Sequence, residues 1–362
     1  MQSLQQQVEE AIKGYQDPYL EMNLFDADAI ELLEVNGESV NLKVLLKYPS
    51  DHLKDGIAQM LKVAIENVAS IENADVSVDW QVQPHKAHDN LNSLKNVKNI
   101  IAVASGKGGV GKSTTAVNLA LALAKDGAKV GILDADIYGP SLGMMLGINE
   151  GTRPETQQEK FFKPIMFENV QTMSMAYLIT ENTPMVWRGP MVSGALQQLL
   201  TQTLWDDLDY LVVDMPPGTG DIQLTLAQKV PVAAAVIVTT PQDIALYDAI
   251  KGVAMFDKVK VPVLGVIENM SYHLCDNCGH ESHLFGEGGG ELLAKDYQTK
   301  LLGQLPLNVA IRENADLGKS TITENSTSDI AQQYRKIAVN MAAELYLTLD
   351  SRSPATAEIV LS

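Results

Sequence analysis

A glycine-rich run set between an apolar strand and a helix constrains this chain more than any other feature. Residues 99–104 read as a buried strand, Ser105-Gly-Lys-Gly-Gly-Val-Gly-Lys-Ser-Thr114 follows, and residues 114–125 read as a helix. The run satisfies the phosphate-loop pattern G-x-x-x-x-G-K-S at Gly106, Gly111, Lys112 and Ser113. Glycines are needed because backbone N–H groups must wrap phosphate oxygens closely, while the following helix N-terminus favours the anion. Gly106, Lys107, Gly108, Gly109, Val110, Gly111 and Thr114 therefore form the expected cradle for a nucleotide. Lys112 is expected to reach the β- and γ-phosphates, and Ser113 to hold Mg²⁺. A glycine-rich turn without a ligand is the alternative, and motif, strand and helix together speak against it.

The loop also sets the architecture. From Val97 onward, apolar runs at 100–104, 129–133, 210–213, 233–239, 263–267 and 301–305 alternate with helical stretches. Near-continuous apolar strands separated by helices predict an α/β fold, a doubly wound, mostly parallel sheet covered on both faces. Ligands in such sheets bind at the carboxyl ends of strands. The preceding segment reads differently, with a helix at 3–13, strands at 29–35 and 40–46 around an Asn36-Gly37 turn, a helix at 53–68 and a strand at 75–82. This predicts a small α+β domain over residues 1–83, a polar linker at 84–96, the phosphate-loop domain over 97–350, and a tail at 351–362. A chain of 362 residues suits about two such cores.

Charge narrows the class of partner. Twenty-seven Lys and Arg against 45 Asp and Glu give a net charge of −18, so nucleic acid would meet repulsion in the absence of a basic stripe, and none is apparent. The N-terminus has no basic flank and no apolar run, and the longest apolar run, 230–238, is far short of a bilayer span. A cytoplasmic protein that engages neither membrane nor nucleic acid is expected. The only two cysteines, Cys275 and Cys278, are spaced for metal or redox chemistry. Spacing alone leaves three readings. The pair supplies half of a four-thiolate cluster site, or joins His280 and His283 in a closed zinc knuckle, or works as a redox pair.

Two carboxylate motifs end strands behind the loop: Asp134-Ala-Asp136 after 130–133, and Asp214-Met-Pro-Pro-Gly-Thr-Gly-Asp221 after 211–213. An isolated aspartate at a strand end is usually a cap or turn residue, but two clusters behind a phosphate loop suit phosphoryl transfer. Asp221 reads equally well as a cap for the next helix.

The string GKGGVGKST resembles the deviant Walker A signature of the ATPase group that contains MinD, ParA, the nitrogenase iron protein and the Mrp-type (ApbC-like) iron–sulfur carriers. The Mrp-type branch is the closer resemblance. DADIYGPS at 134–141, WRGPM at 187–191, DMPPGTGD at 214–221, VIENMS at 266–271 and the C-x-x-C stand in that family's order over about residues 97–345. The first segment is similar to the small domain that precedes many bacterial Mrp ATPases, with Asp17-Pro18-Tyr19-Leu20 near its start, but it has no cysteine. A docking module is expected there.

The resemblance implies a set of roles. Lys107 would cross a dimer interface to the partner's nucleotide, as an arginine finger does elsewhere. Asp136 would position the attacking water, Asp214 would support Mg²⁺ through a water, and Asp134 would support the same site. Asn269 would hydrogen-bond the adenine edge. Cys275 and Cys278 of two protomers would together hold a [4Fe–4S] cluster at the axis of a homodimer. The whole would be an ATPase that takes a cluster from a donor scaffold and passes it to apo-proteins. A MinD- or ParA-like positioning or segregation switch is the alternative, and it leaves the cysteine pair without a purpose.

Overall fold

The computed structural model describes residues 3–85, 94–178, 189–275 and 277–350. The chain divides into two compact units. One holds the residues up to Gln83 together with those from Ala342 on, and the other holds Pro84–Met341. Residues 86–93 of the expected linker, and the expected tail 351–362, lie outside the described residues.

The first unit opens with helix α1 (Leu4–Lys13), started by a capping box in which Ser3 and Gln6 exchange side-chain and backbone hydrogen bonds. Strands β1 (Ile30–Asn36) and β2 (Ser39–Leu46) form an antiparallel hairpin in which Asn36 pairs with Ser39. Gly37 takes the left-handed conformation, φ +59°, that so tight a reversal requires. Helix α2 (Lys54–Glu66) buries Ile57, Leu61 and Ile65 at helical spacing and crosses over to β3 (Asn73–Trp80), which pairs parallel to β2. Tyr346, near the end of the last helix, donates its hydroxyl to Ala27 O at 3.0 Å within this unit.

In the second unit, β4 (Val97–Ala104), β5 (Val130–Asp134), β7 (Val170–Ser174), β8 (Leu208–Asp214), β9 (Ala234–Thr239), β10 (Val263–Leu274) and β12 (Lys300–Pro306) run parallel. They lie in the order β7-β5-β8-β4-β9-β10-β12. Strand β6 (Ile165–Phe167) adds an antiparallel edge beside β7, and the two-residue β11 (Glu281–Ser282) pairs with the far end of β10. Helices α3 (Lys112–Lys125), α4 (Gly189–Gln202), α5 (Asp221–Lys229), α6 (Asp243–Lys258) and α7 (Gly289–Asp296) lie between strands, and α8 (Val309–Asp316) and α9 (Asp329–Asp350) follow the last one, α9 passing into the first unit at Ala342. The expected doubly wound α/β sheet is thus present. Its central strands are buried apart from Lys98 of β4, so their apolar faces meet helices rather than water. Among the described residues no helix is long and apolar enough to cross a membrane.

Strand β7 was not anticipated in the sequence. Its residues Val170-Gln-Thr-Met-Ser174 include three polar side chains, yet all five are buried. Gln171 exchanges hydrogen bonds with both backbone groups of Asp206, Thr172 donates to Ile165 O, and Ser174 donates to Asp134. Distant partners satisfy the polar atoms, so burial leaves no apolar signature.

Helix α3 is fastened at its far end. Asp126, its C-cap residue, forms a buried ion pair with Arg335 of α9. Removing one member of such a pair costs about 3–5 kcal/mol, because the other charge is left buried alone.

Candidate active site at the carboxyl ends of the sheet

Strand β4 delivers the chain into the loop, and the loop is shaped by what surrounds it. Gly111, at φ +80°, is the N-cap residue of α3, and a Cβ there would lie 2.2 Å from Asn269 Nδ2. A Cβ at Gly106 would fall 2.1 Å from the backbone of Asp248. Neither position accepts a side chain. No side chain caps α3, so its first-turn N–H groups suit an anion. Ser105 holds the loop from below, its hydroxyl donating to Lys107 O at 2.9 Å and its carbonyl accepting from Gly218 N at 3.0 Å.

Asp134 and Asp214 end adjacent strands and stand in register with each other. Lys112 forms a buried ion pair with Asp214, and its ammonium also lies 3.2 Å from the Ser113 hydroxyl. Asp134 accepts from Asp136 N at 3.0 Å, Ser174 Oγ at 3.2 Å and Leu142 N at 3.3 Å. Burial, and then the charge of Asp214, push the Asp134 carboxyl up to about 7. Burial also raises Asp214, against the pull of Lys112. Two like charges in a dry pocket resist joint ionisation, and an added cation relieves them. Ser113, Asp134 and Asp214 are hard oxygen donors of the type that Mg²⁺ takes, so the residues present fit that ion.

The loop opens into a cavity of about 440 Å³. Lys107, Lys112, Ser113, Thr114, Asp136 and Asn269 are among the residues that line it. Pro306, Leu307, Asn308, Ile311, Arg312 and Tyr334 form a further wall that sequence reasoning missed. These residues carry no motif, and the only hint was the strand at 301–305, whose carboxyl end reaches the same rim. Among the described residues Lys107 makes no ion pair, and its side chain is half-buried. Asn269 is 7% exposed and donates Nδ2 to Val110 O at 2.8 Å. It braces the loop instead of projecting as an unengaged amide. The Asp221 side chain, and Trp187 and Arg188 of the WRGPM string, lie outside the described residues.

Strand β10 continues past the sheet and reverses through the cysteines. His273 pairs with Ser282 and Leu274 with Glu281. Cys275 N donates to His280 O at 3.0 Å, Gly279 N donates to Cys275 O at 2.8 Å, and Gly279 takes φ +70° to complete the turn. Cys275 is half-buried and Cys278 exposed. His283 is engaged elsewhere, with Nδ1 3.1 Å from Ser271 O and Nε2 3.2 Å from Glu281 Oε1. Among the described residues no three His, Cys, Asp or Glu side chains gather as a metal site.

Known proteins are similar to this chain over both units. The family model described as "NUBPL iron-transfer P-loop NTPase" matches residues 96–342, and one described as "Iron-sulfur cluster assembly protein" matches residues 5–78. An iron-sulfur cluster carrier protein of Pseudomonas fragi is 64% identical over 287 residues, covering 79% of this chain and 100% of that protein. The iron-sulfur cluster carrier protein of Escherichia coli K12 is 48% identical over 345 residues, covering 95% of this chain and 93% of its own. Among solved structures, a nucleotide-binding protein of Archaeoglobus fulgidus in complex with ADP superposes with a TM-score of 0.58 at 36% identity, over 67% of this chain and 93% of that one. The first model spans more than half of the chain, including the stretch that holds the loop, both aspartate strands and the cysteines, and the chain belongs to the NUBPL iron-transfer P-loop NTPase family.

Proposed function

We propose that this chain is an ATP-dependent carrier that holds an iron–sulfur cluster between two copies of itself and passes it to apo-proteins. The observation that carries the reading is the cysteine hairpin: two thiols at a solvent-facing turn, on the strand whose root braces the phosphate loop. Two thiolates are half of what a cluster takes, and a second copy related by a twofold axis supplies the others. The engagement of both His283 nitrogens supports this arrangement over a closed zinc knuckle. The first unit has no cysteine and acts as a docking module. The carrier works in the cytoplasm, between a donor scaffold and its recipients.

ATP lies with its phosphates in the loop, held by the backbone of Gly106–Gly111 and by Lys112. Lys112 is paired with Asp214; bound phosphates compete for the ammonium, which turns toward the larger charge. Ser113, Asp134 and Asp214 would hold Mg²⁺, which when bound neutralises phosphate charge. Asp136, on the cavity wall, orients the attacking water. Lys107, without an ion-pair partner among the described residues, reaches the partner's nucleotide and stabilises the transferring phosphoryl group.

The test is a metal count on protein purified without oxygen and supplied with iron and sulfide. About four iron and four sulfide per two chains are expected. Cys275→Ser or Cys278→Ser alone should abolish them, since each change removes two of the four thiolates, while His280→Ala and His283→Ala should leave them unchanged. Stoichiometric zinc, one per chain and lost in the histidine variants, would overturn the carrier reading.

A further inference from the structure

Asn269 lies on β10, which ends at Leu274, one residue before Cys275. What lies between them is not plain strand. Glu268 is fully buried, its carboxylate accepting from Ser271 Oγ at 2.5 Å, Gly290 N at 2.5 Å and Gln304 Nε2 at 2.9 Å. Three donors from three elements, one of them the N-terminal turn of α7, fix that carboxylate as an anchor. Gly290 is tight against it, since a Cβ there would lie 2.9 Å from Glu268 Cβ. The pairing of β10 with β12 then slips between Glu268 and Tyr272, and Met270 takes φ +54°. A left-handed methionine is strained, and such strain is held only where the surroundings over-determine it.

Each side of this pivot is bonded to a different site. On one side Asn269 Nδ2 donates to Val110 O in the phosphate loop, and the contact has no slack, because Gly111 packs on the same amide. On the other side Ser271 O meets His283 Nδ1, on the return limb of the cysteine hairpin. Hydrogen bonds and rigid backbone thus run without interruption from loop to hairpin.

We propose that Asn269 is a positioning residue that couples the two sites: nucleotide in the loop shifts the Val110 peptide, Asn269 follows, and the hairpin bearing Cys275 and Cys278 turns about the fixed Glu268. The inference rests on the assignment of the loop to ATP and of the hairpin to the cluster. This role stands beside a contact with the adenine edge, because Nδ2 carries a second proton and the amide an acceptor oxygen.

Hydrogen exchange of residues 271–283 in the iron-free full chain, with and without saturating ATP, reads the coupling without requiring a cluster. ATP should slow exchange at the Cys275 and Gly279 amides by on the order of 5-fold or more, the lower range for coupled sites. Asn269→Leu keeps the volume and removes the donor; ATP affinity should fall roughly 10-fold for one lost hydrogen bond, and at saturation the hairpin should no longer respond. A full response in Asn269→Leu, or none in the parent protein with ATP bound, overturns the proposal. Should Asn269→Leu fail to bind ATP, Met270→Gly decides, since glycine relaxes the pivot and leaves the brace in place: a parental response there also overturns it. Chelator-driven cluster loss, compared with and without ATP, is the second readout. If the parent protein never holds a cluster while its hairpin answers to ATP, the carrier reading fails and the coupling stands.

Discussion

Lys112→Ala removes the cation that faces two buried carboxylates. The Lys112 and Asp214 side chains are each 5% accessible, and Asp134 stands beside Asp214 at the next strand end. Deleting one partner of a buried ion pair costs about 3–5 kcal/mol. A second route gives a similar size. Asp214 escapes its uncompensated charge by taking a proton, and protonating a carboxyl of ordinary pKa about 3.9 at pH 7 spans roughly three units at about 1.36 kcal/mol each, or about 4 kcal/mol. At pH 5 the same escape spans roughly one unit and costs about 1.5 kcal/mol. Because burial already raises the parental Asp214, urea unfolding of the nucleotide-free variant should show a loss of up to about 4 kcal/mol at pH 7 that shrinks to at most about 1.5 kcal/mol at pH 5. ATP turnover should vanish at both. A domain stability of about 5–15 kcal/mol leaves the variant folded, and adding Asp214→Asn should recover most of the loss, since the two changes share one interaction. Parental stability at pH 7, or a loss that does not depend on pH, would refute the buried pair.

Lys107→Ala should bind ATP but hydrolyse it on the order of 10³-fold more slowly, and mixing it with Asp136→Ala chains should restore activity if the lysine acts across the interface; mixed dimers that stay inactive would argue against that crossing. The Asp134 carboxyl, pushed up to about 7 from its usual 3.8, makes the folded nucleotide-free chain hold a proton that the unfolded chain releases. Its contribution to stability is complete below the usual value and is lost as pH rises through about 7, so Asp134→Asn should narrow the difference in Tm between pH 6 and pH 8; an unchanged difference would mean that the carboxyl ionises normally. Gly290→Ala places a Cβ 2.9 Å from Glu268 Cβ and should cost about 1–3 kcal/mol in denaturant unfolding, whereas no loss would show that α7 shifts without resistance.

Much of this protein was legible in its sequence where the cause is local. The phosphate loop is a contiguous string whose chemistry follows from glycine conformation and a helix start, and the strands 97–104, 130–134, 208–214 and 234–239 announce themselves as apolar runs because both of their faces are covered. The Asn36-Gly37 turn and the cysteine spacing are equally local. Strand β7 was hidden, because Gln171, Thr172 and Ser174 find hydrogen-bond partners that only the fold brings near.

Pairing across long stretches of chain belonged to the tertiary structure alone. Lys112 and Asp214 are 102 residues apart, and which carboxylate takes the lysine depends on the lateral order of β4, β8 and β5. Asn269 and Val110 are 159 apart, and the direction of that amide, toward the loop, follows from how β10 packs against it. The cavity wall at Pro306–Ile311 and Tyr334 has no motif, since apolar contact with a ligand can be made by many residue types, and only the strand order brings β12 and α9 to the same rim. Residue identity thus sets which groups can do the chemistry, because backbone conformation and donor type are properties of a few neighbouring residues. Which of them meet is set by burial and strand order, which are properties of the whole chain.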